Sequence, residues 1–397
     1  MLYTFRKITE EKSMAWKNSC IKDEKLMFIS DWLKKEFTHT VLCARYGISR
    51  PTGYLLINRY MKEREGAFNE RSREPHNIPH KTSYKIEKYL LTLKYRYPKW
   101  GPAKIRDFLI AEKIKGKWPA ASTIGELFKR HGLVKKRRLR KKVAAHSEPL
   151  KHCHGPNAVW SADFKGQFHL KNGRYCYPLT VTDNYSRYLL GCDGFESPSC
   201  ENTIKSFHKI FMENGLPDAI RTDNGQPFCG VGLGGLTRLS IWFLKLGIMP
   251  ERISLGSPQE NGRHERMHRT LKEATIISGQ RTLKEQQKLF NNFITEFNTK
   301  RPHEGIQSKR PGEVYVKSKK QMPKRLPEVS YPQHFEIRRV KVNGEIKFAN
   351  KRYFVSEHLH GEPIGLEMID QARAIIYFAR LKLGIIDARL NKILRPG

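Results

Sequence analysis

Three short stretches determine how this chain is interpreted: V-W-S-A-D-F-K at 159–165, D-A-I-R-T-D-N-G at 218–225 and S-P-Q-E-N-G-R-H-E-R at 257–266. They place Asp163, Asp223 and Glu265 in a fixed order, each where a carboxylate could reach one common point. Three carboxylates with no sulfur or imidazole partner suit paired Mg²⁺ ions, because hard cations prefer oxygen ligands and share their shell with water and phosphate. Two such ions can hold the attacking and the leaving oxygen of a phosphodiester. The stretches therefore indicate metal-assisted cutting or joining of a nucleic-acid backbone.

The charge balance indicates the same class of partner. Lys and Arg number 74 and Asp and Glu 39, which gives a formal charge of +35 over 397 residues. A chain this basic attracts polyanions, although ribosomal and chromatin proteins are equally basic, so the charge leaves the activity open. No apolar run reaches the roughly 18 residues that cross a bilayer, and no signal-peptide pattern opens the chain. With seven dispersed cysteines that fit reduced thiols, we expect a cytoplasmic protein with no membrane partner.

The central region, residues 156–316, has the pattern of an α/β domain. Strands are expected to carry Asp163 and Asp223, two further strands are expected to meet near Asn184, and a helix is expected from about Gly262 to Ile277. Three strands, a helix, a fourth strand and more helices fit a mixed sheet covered by helices. Carboxylates at strand ends and at the start of a facing helix can then meet at the edge of the sheet.

Two helical modules precede this domain. In residues 14–70, the sequence predicts a helix, a turn at Gly47 and a second helix capped by Ser49. This pattern suggests a helix-turn-helix that reads DNA, although any three-helix bundle has such a turn. Residues 71–134 form a second helical module of winged or helix-turn-helix type. The candidate DNA contacts of the first module are Arg50, Thr52 and Arg59.

The connecting segments and the C-terminal region complete a multidomain chain. Residues 135–155 and 317–332 are interpreted as linkers, the first either a solvated charge run or a segment that follows DNA. Residues 333–397 switch to about five short strands, with Asn343-Gly344 between two alternating runs as a hairpin signal, enough for a small all-β barrel. The candidate DNA contacts of the first linker are Lys135, Lys136, Arg137 and Arg138.

The ordered motifs resemble the catalytic core shared by retroviral integrases and bacterial insertion-sequence transposases. The matching strings are W-S-A-D, T-D-N-G and P-Q-E-N-G-R-H-E-R-M-H-R-T-L-K, and F-N-T-K-R-P-H-E-G-I followed by P-G-E-V-Y is similar to the bacterial branch. The flanking modules are similar as well, so the resemblance covers nearly the whole chain. It implies a ribonuclease H-like fold for the core and an SH3-like barrel at the C-terminus.

The resemblance also implies a set of site residues. Asp163, Asp223 and Glu265 would be the catalytic and metal-binding triad, holding two Mg²⁺ ions for which Mn²⁺ substitutes. Glu265 is preferred to Glu260 because the family places its glutamate three residues beyond the glycine of the Asn-Gly pair. Asp183 is a minor candidate for a role beside the metal. Two basic positions on the same helical face as Glu265 resemble those that hold DNA ends in the family, namely Arg269 and Lys272.

The function implied is that of a bacterial DNA transposase. It would bind the ends of a mobile element as double-stranded DNA, cleave them to free a 3′-OH, and join that hydroxyl to target DNA. Joining two ends requires at least two cores, so a homo-oligomer on DNA, associated with the nucleoid, is expected. The alternatives are a nuclease of the same fold that only hydrolyses and a DNA-binding regulator with an inactive core.

Other ligand patterns in the sequence are weak. Gly230, Gly232 and Gly235 match a dinucleotide motif but lack the acid about twenty residues on that it requires, so no small-molecule cofactor is expected. His76 and His80 have metal-ligand spacing without a C-x-x-C partner, which argues against a zinc site.

Overall fold

The computed structural model describes residues 20–69, 81–134, 152–230, 232–253, 262–277 and 279–394. The chain forms two compact units, Met1–Lys81 and Thr82–Gly397. The boundary falls inside the predicted 71–134 helical domain, whose described helices belong to the larger unit. Within the described residues, no helix is long and apolar enough to cross a membrane. The patterns at His76, His80 and Lys135–Arg138 lie outside the described residues.

The smaller unit contains three helices around one core. They are α1 (Ile21–Lys34), α2 (His39–Arg45) and α3 (Arg50–Glu63). Ser49 caps α3 as predicted, since its side chain accepts a hydrogen bond from Thr52 N at 3.3 Å. Gly53 allows α3 to approach α2 closely, because a Cβ there would lie 2.6 Å from Cys43 Sγ. The buried side chains of this core are Phe28, Ile29, Leu42, Cys43, Ile57 and Phe68.

The larger unit begins with three more helices, α4 (Tyr84–Arg96), α5 (Pro102–Ala111) and α6 (Ala121–Arg130). Their apolar faces enclose a core that includes Leu90, Trp100 and Phe128. The buried ammonium group of Lys94 donates to Pro98 O at 2.7 Å and to Trp100 O at 2.9 Å. These hydrogen bonds offset the cost of burying the ammonium group.

The centre of the larger unit is a mixed sheet. Its strands are β1 (Val159–Phe164), β2 (Phe168–His169), β3 (Tyr175–Asp183), β4 (Leu189–Phe195), β5 (Ala219–Thr222) and β6 (Met249–Arg252). Strand β3 pairs antiparallel with β1, β2 and β4, whereas β5 pairs parallel with β1 and β6. The expected strands at 159–164 and 219–222, and the turn near Asn184, are therefore present.

Helices cover both faces of this sheet. On one face, α7 (Cys200–Asn214) and α8 (Arg238–Lys245) bury Phe207 and Phe243 against β1, β3 and β5. On the other face, α9 (Gly262–Leu271) and α10 (Leu283–Thr299) bury their apolar residues against β3 and β4. The long helix expected up to Ile277 changes to a π-helical turn at Lys272–Ile276. A short helix, α11, spans Pro311–Val314. The result is the three-layer α/β domain that the pattern predicted.

The C-terminal region is all β, as expected, but its pairing differs from the prediction. Its strands are β7 (Glu336–Arg339), β8 (Glu345–Phe348), β9 (Lys351–Phe354), β10 (Pro363–Asp370), β11 (Arg373–Phe378), β12 (Leu381–Asp387) and β13 (Lys392–Leu394). Gly344 has φ +77° and forms the turn signalled by Asn343-Gly344. The strands on either side of that turn pair elsewhere, β7 with β10 and β8 with β9, so they do not form the predicted hairpin. A five-stranded sheet in the order β13-β12-β11-β10-β7 shares its core with the β8-β9 ribbon.

Candidate functional site

The strand pairing of the sheet brings the two aspartates together. Strands β1 and β5 are parallel neighbours, with Ser161 opposite Arg221. Two residues further along each strand, the same register places Asp163 beside Asp223, which directly follows β5. Side chains at the carboxyl ends of adjacent parallel strands share one edge of a sheet, and this edge is where open α/β sheets bind ligands.

Glu265 reaches the same region from a helix. It lies in the first turn of α9, and its side chain is exposed, whereas its neighbour His264 faces the sheet and is buried. Met267, His268 and Leu271 continue the buried side of α9 at helical spacing. Glu260 lies outside the described residues, so its comparison with Glu265 stays a prediction.

The pKa of Asp163 is influenced by the other two carboxylates, so the three acids lie near one another. Burial raises the pKa of Asp163 to about 7, the negative charge of Asp223 adds to the rise, and Glu265 contributes a smaller amount. Lys165 acts in the opposite direction. A buried carboxyl group facing two other acids is stabilised as an anion only when a cation is close. Oxygen donors in this arrangement fit Mg²⁺ or Mn²⁺, and Asp163, Asp223 and Glu265 are the residues that could hold them.

Two histidines lie beside Asp163, which the sequence interpretation did not anticipate. Within the described residues, one group of three or more potential metal ligands has all its ligand atoms within 4.8 Å of one another, and it consists of Asp163, His264 and His268. His268 Nδ1 is 3.7 Å from Asp163 Oδ2. The ligand atoms of the three carboxylates are therefore further apart than those of Asp163 and the two imidazoles. The signal in the sequence was the H-x₃-H spacing around Glu265, which places both imidazoles on one face of α9.

Both imidazoles are hydrogen-bonded to threonines of β3. His264 Nδ1 lies 2.9 Å from Thr182 Oγ1, and its Nε2 lies 2.7 Å from Thr180 Oγ1. His268 Nε2 lies 2.6 Å from the same Thr180 oxygen. Burial lowers the pKa of His264 to about 3 and that of His268 to about 2, so both rings are neutral at physiological pH.

Asp183 has a structural position. It is fully buried, and its carboxylate accepts hydrogen bonds from Asn157 N at 2.9 Å and Ser186 N at 2.8 Å. The Ser186 contact fixes the turn between β3 and β4, and the Asn157 contact ties this turn to the segment before β1. The oxygens of Asp183 are engaged in these contacts, and the minor role beside the metal stays a prediction.

Among the described residues, the candidate DNA contacts differ in whether their side chains are free to reach DNA. Arg50 and Thr52 are exposed at the start of α3. Arg59 is half-buried, pairs with Glu63 at 3.3 Å and donates to Asn69 O at 2.6 Å, so its guanidinium is engaged within the smaller unit. Arg269 and Lys272 are exposed on α9 and at the start of the π-helical turn.

Comparison with known proteins finds family models that are similar to the region containing this site. Two models described as integrase core domain match residues 154–258 and 246–311, which together contain Asp163, Asp223 and Glu265. Residues 154–311 of this chain are similar to an integrase core domain. This similarity agrees with the resemblance that the motifs indicated.

Individual proteins are also similar to parts of this chain. It is 26% identical over 196 residues to an uncharacterized 31.7 kDa protein of insertion element IS407 from Burkholderia multivorans, a match that covers 49% of this chain and 68% of the relative. An uncharacterized 39.2 kDa protein of insertion element IS476 from Xanthomonas euvesicatoria is 24% identical over 230 residues, covering 57% and 63% of the two chains. The Pol polyprotein of Radiation murine leukemia virus is 30% identical over 134 residues, which is 32% of this chain and 22% of the polyprotein.

Solved structures similar to this chain include integrases. The catalytic core domain of HTLV-2 integrase in complex with magnesium aligns with 41% of this chain and 99% of its own at 16% identity, with a TM-score of 0.33. The simian T-cell lymphotropic virus intasome in complex with a PP2A regulatory subunit aligns with 78% and 99% at 14% identity, with a TM-score of 0.36.

Proposed function

We propose that this chain is the DNA transposase of a bacterial insertion element. It binds the two ends of the element, cleaves a phosphodiester at each end to leave a 3′-OH, and joins that hydroxyl to target DNA. The observation that carries the proposal is the placement of three acids by the fold. The ends of β1 and β5 present Asp163 and Asp223 side by side, and the first turn of α9 adds Glu265.

Each of the three acids would have its own role in holding the cations. Asp163, on strand β1, would help to hold both cations. Asp223 and Glu265 would each complete the shell of one Mg²⁺ or Mn²⁺ ion. When bound, such ions stabilise the charge that develops on the attacking and leaving oxygens of a phosphodiester. The same site can use water as a nucleophile for cleavage and a DNA 3′-OH for joining, because both reactions are in-line displacements at phosphorus.

Other parts of the chain would hold the DNA. Arg269 and Lys272 are exposed on the helix that carries Glu265, so they can contact phosphates next to the reacting bond. Arg50 and Thr52 at the start of α3 are available to read base edges. The charge of +35 supplies a general attraction for backbone, in a protein that would act on the DNA of the bacterial cytoplasm. Since two ends are joined, at least two copies of the chain must assemble on DNA.

A joining assay tests the proposal. Purified chain is incubated with Mg²⁺ or Mn²⁺, a labelled duplex from each boundary of the element, and a supercoiled target. We expect a nicked product with a 3′-OH and a slower-migrating joined product, and Asp163→Asn should abolish both. Asp218→Asn, which removes an exposed acid of the same domain, is the matched control and should react normally.

The same assay separates the two alternatives. Nicking without joining, under conditions in which the boundary duplex is bound, would assign the chain to the nucleases. Binding without either product would identify a regulator with an inactive core. Asp223→Asn should keep its affinity for the boundary duplex, because the proposed DNA contacts are separate from the carboxylates.

A further inference from the structure

The side of α9 that faces the sheet is attached to β3 by polar contacts where apolar packing would be usual. His264 and His268 are 1% and 4% exposed, and Thr180 and Thr182 opposite them are 0% and 6% exposed. Three imidazole–hydroxyl contacts of 2.6–2.9 Å join these four side chains. Buried polar groups of this kind are stabilising only when each donor and acceptor has a partner, so their proton arrangement is constrained.

The hydroxyl of Thr180 determines that arrangement. Its Oγ1 has one proton and two lone pairs, and it has three neighbours: Asp163 O at 3.1 Å and the Nε2 atoms of His264 and His268. The backbone carbonyl of Asp163 can only accept, so Thr180 donates to it and accepts from both rings. Each neutral ring therefore carries its proton on Nε2. His264 Nδ1 is then an acceptor, and the hydroxyl of Thr182 donates to it.

This network joins the two elements that carry opposite sides of the metal site. Thr180 is the cross-strand partner of Asp163 in the β1–β3 ladder and also bonds the Asp163 carbonyl. His264 directly precedes Glu265 in the chain, and His268 follows one helical turn later. A shift of α9 along the sheet would break all three imidazole contacts. The contacts therefore set the distance between Glu265 and Asp163.

We propose that His264 and His268 are positioning residues of the integrase core, which act through Thr180 and Thr182 to hold Glu265 at the distance from Asp163 that a divalent cation requires. The inference rests on the proposed function, because it assigns Glu265 and Asp163 to one metal site. It gives the two histidines a structural contribution to metal affinity without making them ligands. Both nitrogens of His264 are already bonded. His268 uses Nε2 in the same network, and its Nδ1, 3.7 Å from Asp163 Oδ2, is the ring nitrogen that the spectroscopy below tests as a ligand.

Metal binding by threonine variants tests the proposal without any DNA reaction. Thr180→Val removes the central hydroxyl at nearly constant volume, and Thr180→Ser restores it. The affinity of the purified full chain for Mn²⁺ is measured by electron paramagnetic resonance titration. We expect Thr180→Val to bind Mn²⁺ about tenfold more weakly, the lower end of the 10–100-fold range known for residues that orient metal ligands. Thr180→Ser should return to within about twofold of the wild-type affinity.

A matched control and a second variant distinguish a specific loss of Mn²⁺ affinity from a folding defect. Thr203→Val removes a buried hydroxyl that bonds Ser199 O at 2.8 Å on α7, on the other face of the sheet, and should leave Mn²⁺ affinity unchanged. If Thr180→Val does not fold, Thr182→Val removes only the contact to His264 Nδ1 and should still weaken binding. Wild-type affinity in folded Thr180→Val or Thr182→Val would overturn the positioning role.

Two spectroscopic readouts distinguish this proposal from its rivals. Imidazole ¹⁵N chemical shifts of the metal-free chain should show both rings neutral with the proton on Nε2, and a proton on Nδ1 of either ring would contradict the network. Pulsed electron paramagnetic resonance of bound Mn²⁺ should show no coupling to imidazole ¹⁴N, whereas strong coupling would make His268 a ligand and overturn the proposal. If the wild-type chain binds no Mn²⁺, the proposed function fails, and the ¹⁵N shifts still decide whether the network exists.

Discussion

Asn298 of α10 holds the backbone of Leu189 in β4 with two hydrogen bonds. Leu189 N donates to Asn298 Oδ1 at 2.9 Å, and Asn298 Nδ2 donates to Leu189 O at 2.9 Å. Both residues are buried, with Asn298 2% and Leu189 0% exposed. The side-chain amide thus pairs with β4 in the way a neighbouring strand would, and it fixes α10 against the sheet on the face that also holds α9.

Removing this amide should destabilise the larger unit. Asn298→Ala leaves one buried N–H and one buried C=O without partners, each costing about 1–3 kcal/mol, so we expect a loss of about 2–6 kcal/mol. Chemical denaturation monitored by tryptophan fluorescence measures it. Thr295→Ala, an exposed position on the same helix, should change stability by about 0.5 kcal/mol or less. A similarly small effect of Asn298→Ala would show that water or a shifted helix replaces the amide.

The core was predictable because its signals are local. Strands β1 and β5 follow from short strand-forming stretches that lead to an aspartate, and Ser49 marks the start of α3 by its capping contact. The parallel pairing of β1 with β5, which brings Asp163 beside Asp223, is a long-range property. In the sequence alone, that proximity was an expectation from carboxylates at strand ends, and the resemblance to a known family supported it.

The missed features are also long-range. Asn343-Gly344 forms the expected turn, but β7 and β8 have better partners in β10 and β9, and a local pattern carries no information about them. The contacts between α9 and β3 were missed for the same reason. The sequence shows an H-x₃-H pair on a helix but does not show which strand lies opposite, so the carboxylates were interpreted as having no imidazole neighbour.

The stability of the larger unit should fall at acid pH, in part because of His303. Burial, followed by the nearby charges of Lys104 and Arg301, lowers the pKa of His303 to about 3 from 6.5. Between these values the unfolded chain binds a proton that the folded chain does not, so stability is lost as the pH falls below about 6.5. The melting temperature of His303→Gln should therefore decline less steeply between pH 7 and pH 5 than that of the wild type. His208→Gln, at an exposed position on α7, should keep the wild-type slope, and an unchanged slope in His303→Gln would contradict the assignment.

Metal affinity should rise with pH around neutrality. The pKa of Asp163 is raised to about 7, mainly by burial and then by Asp223. Below that pH a proton occupies the carboxyl group and competes with the cation, which weakens binding by up to about tenfold per pH unit. Calorimetric titration with Mn²⁺ should show tighter binding at pH 8 than at pH 6, with proton release at pH 6. Equal affinities at the two pH values would mean that Asp163 is already ionised in the metal-free chain.

The smaller unit should determine sequence preference. Arg50 and Thr52 are exposed at the start of α3, where base edges can be reached, and a good base contact contributes about 1–3 kcal/mol of discrimination. The double substitution Arg50→Ala with Thr52→Ala should reduce the preference for a boundary duplex over a scrambled one by about tenfold or more. Lys62→Ala, an exposed cation near the end of the same helix, should weaken binding to both duplexes equally. Competition titrations at two salt concentrations measure both effects, and an unchanged preference in the double variant would assign sequence recognition to another part of the chain.

Glu265 and Glu260 give the sharpest test of the metal site. A ligand of Mg²⁺ must be held about 2.0–2.1 Å from the ion in a nearly octahedral shell, and Glu265 has the fixed backbone of a first helical turn to do so. Glu265→Gln keeps the volume and the hydrogen-bonding capacity of the side chain but removes its charge. We therefore expect cleavage and joining to fall by at least about a hundredfold. Glu260→Gln, the same change five positions earlier, should stay within about threefold of the wild type in the same assay. If Glu260→Gln is inactive while Glu265→Gln cleaves normally with Mg²⁺, the metal site lies before α9 and the triad must be reassigned.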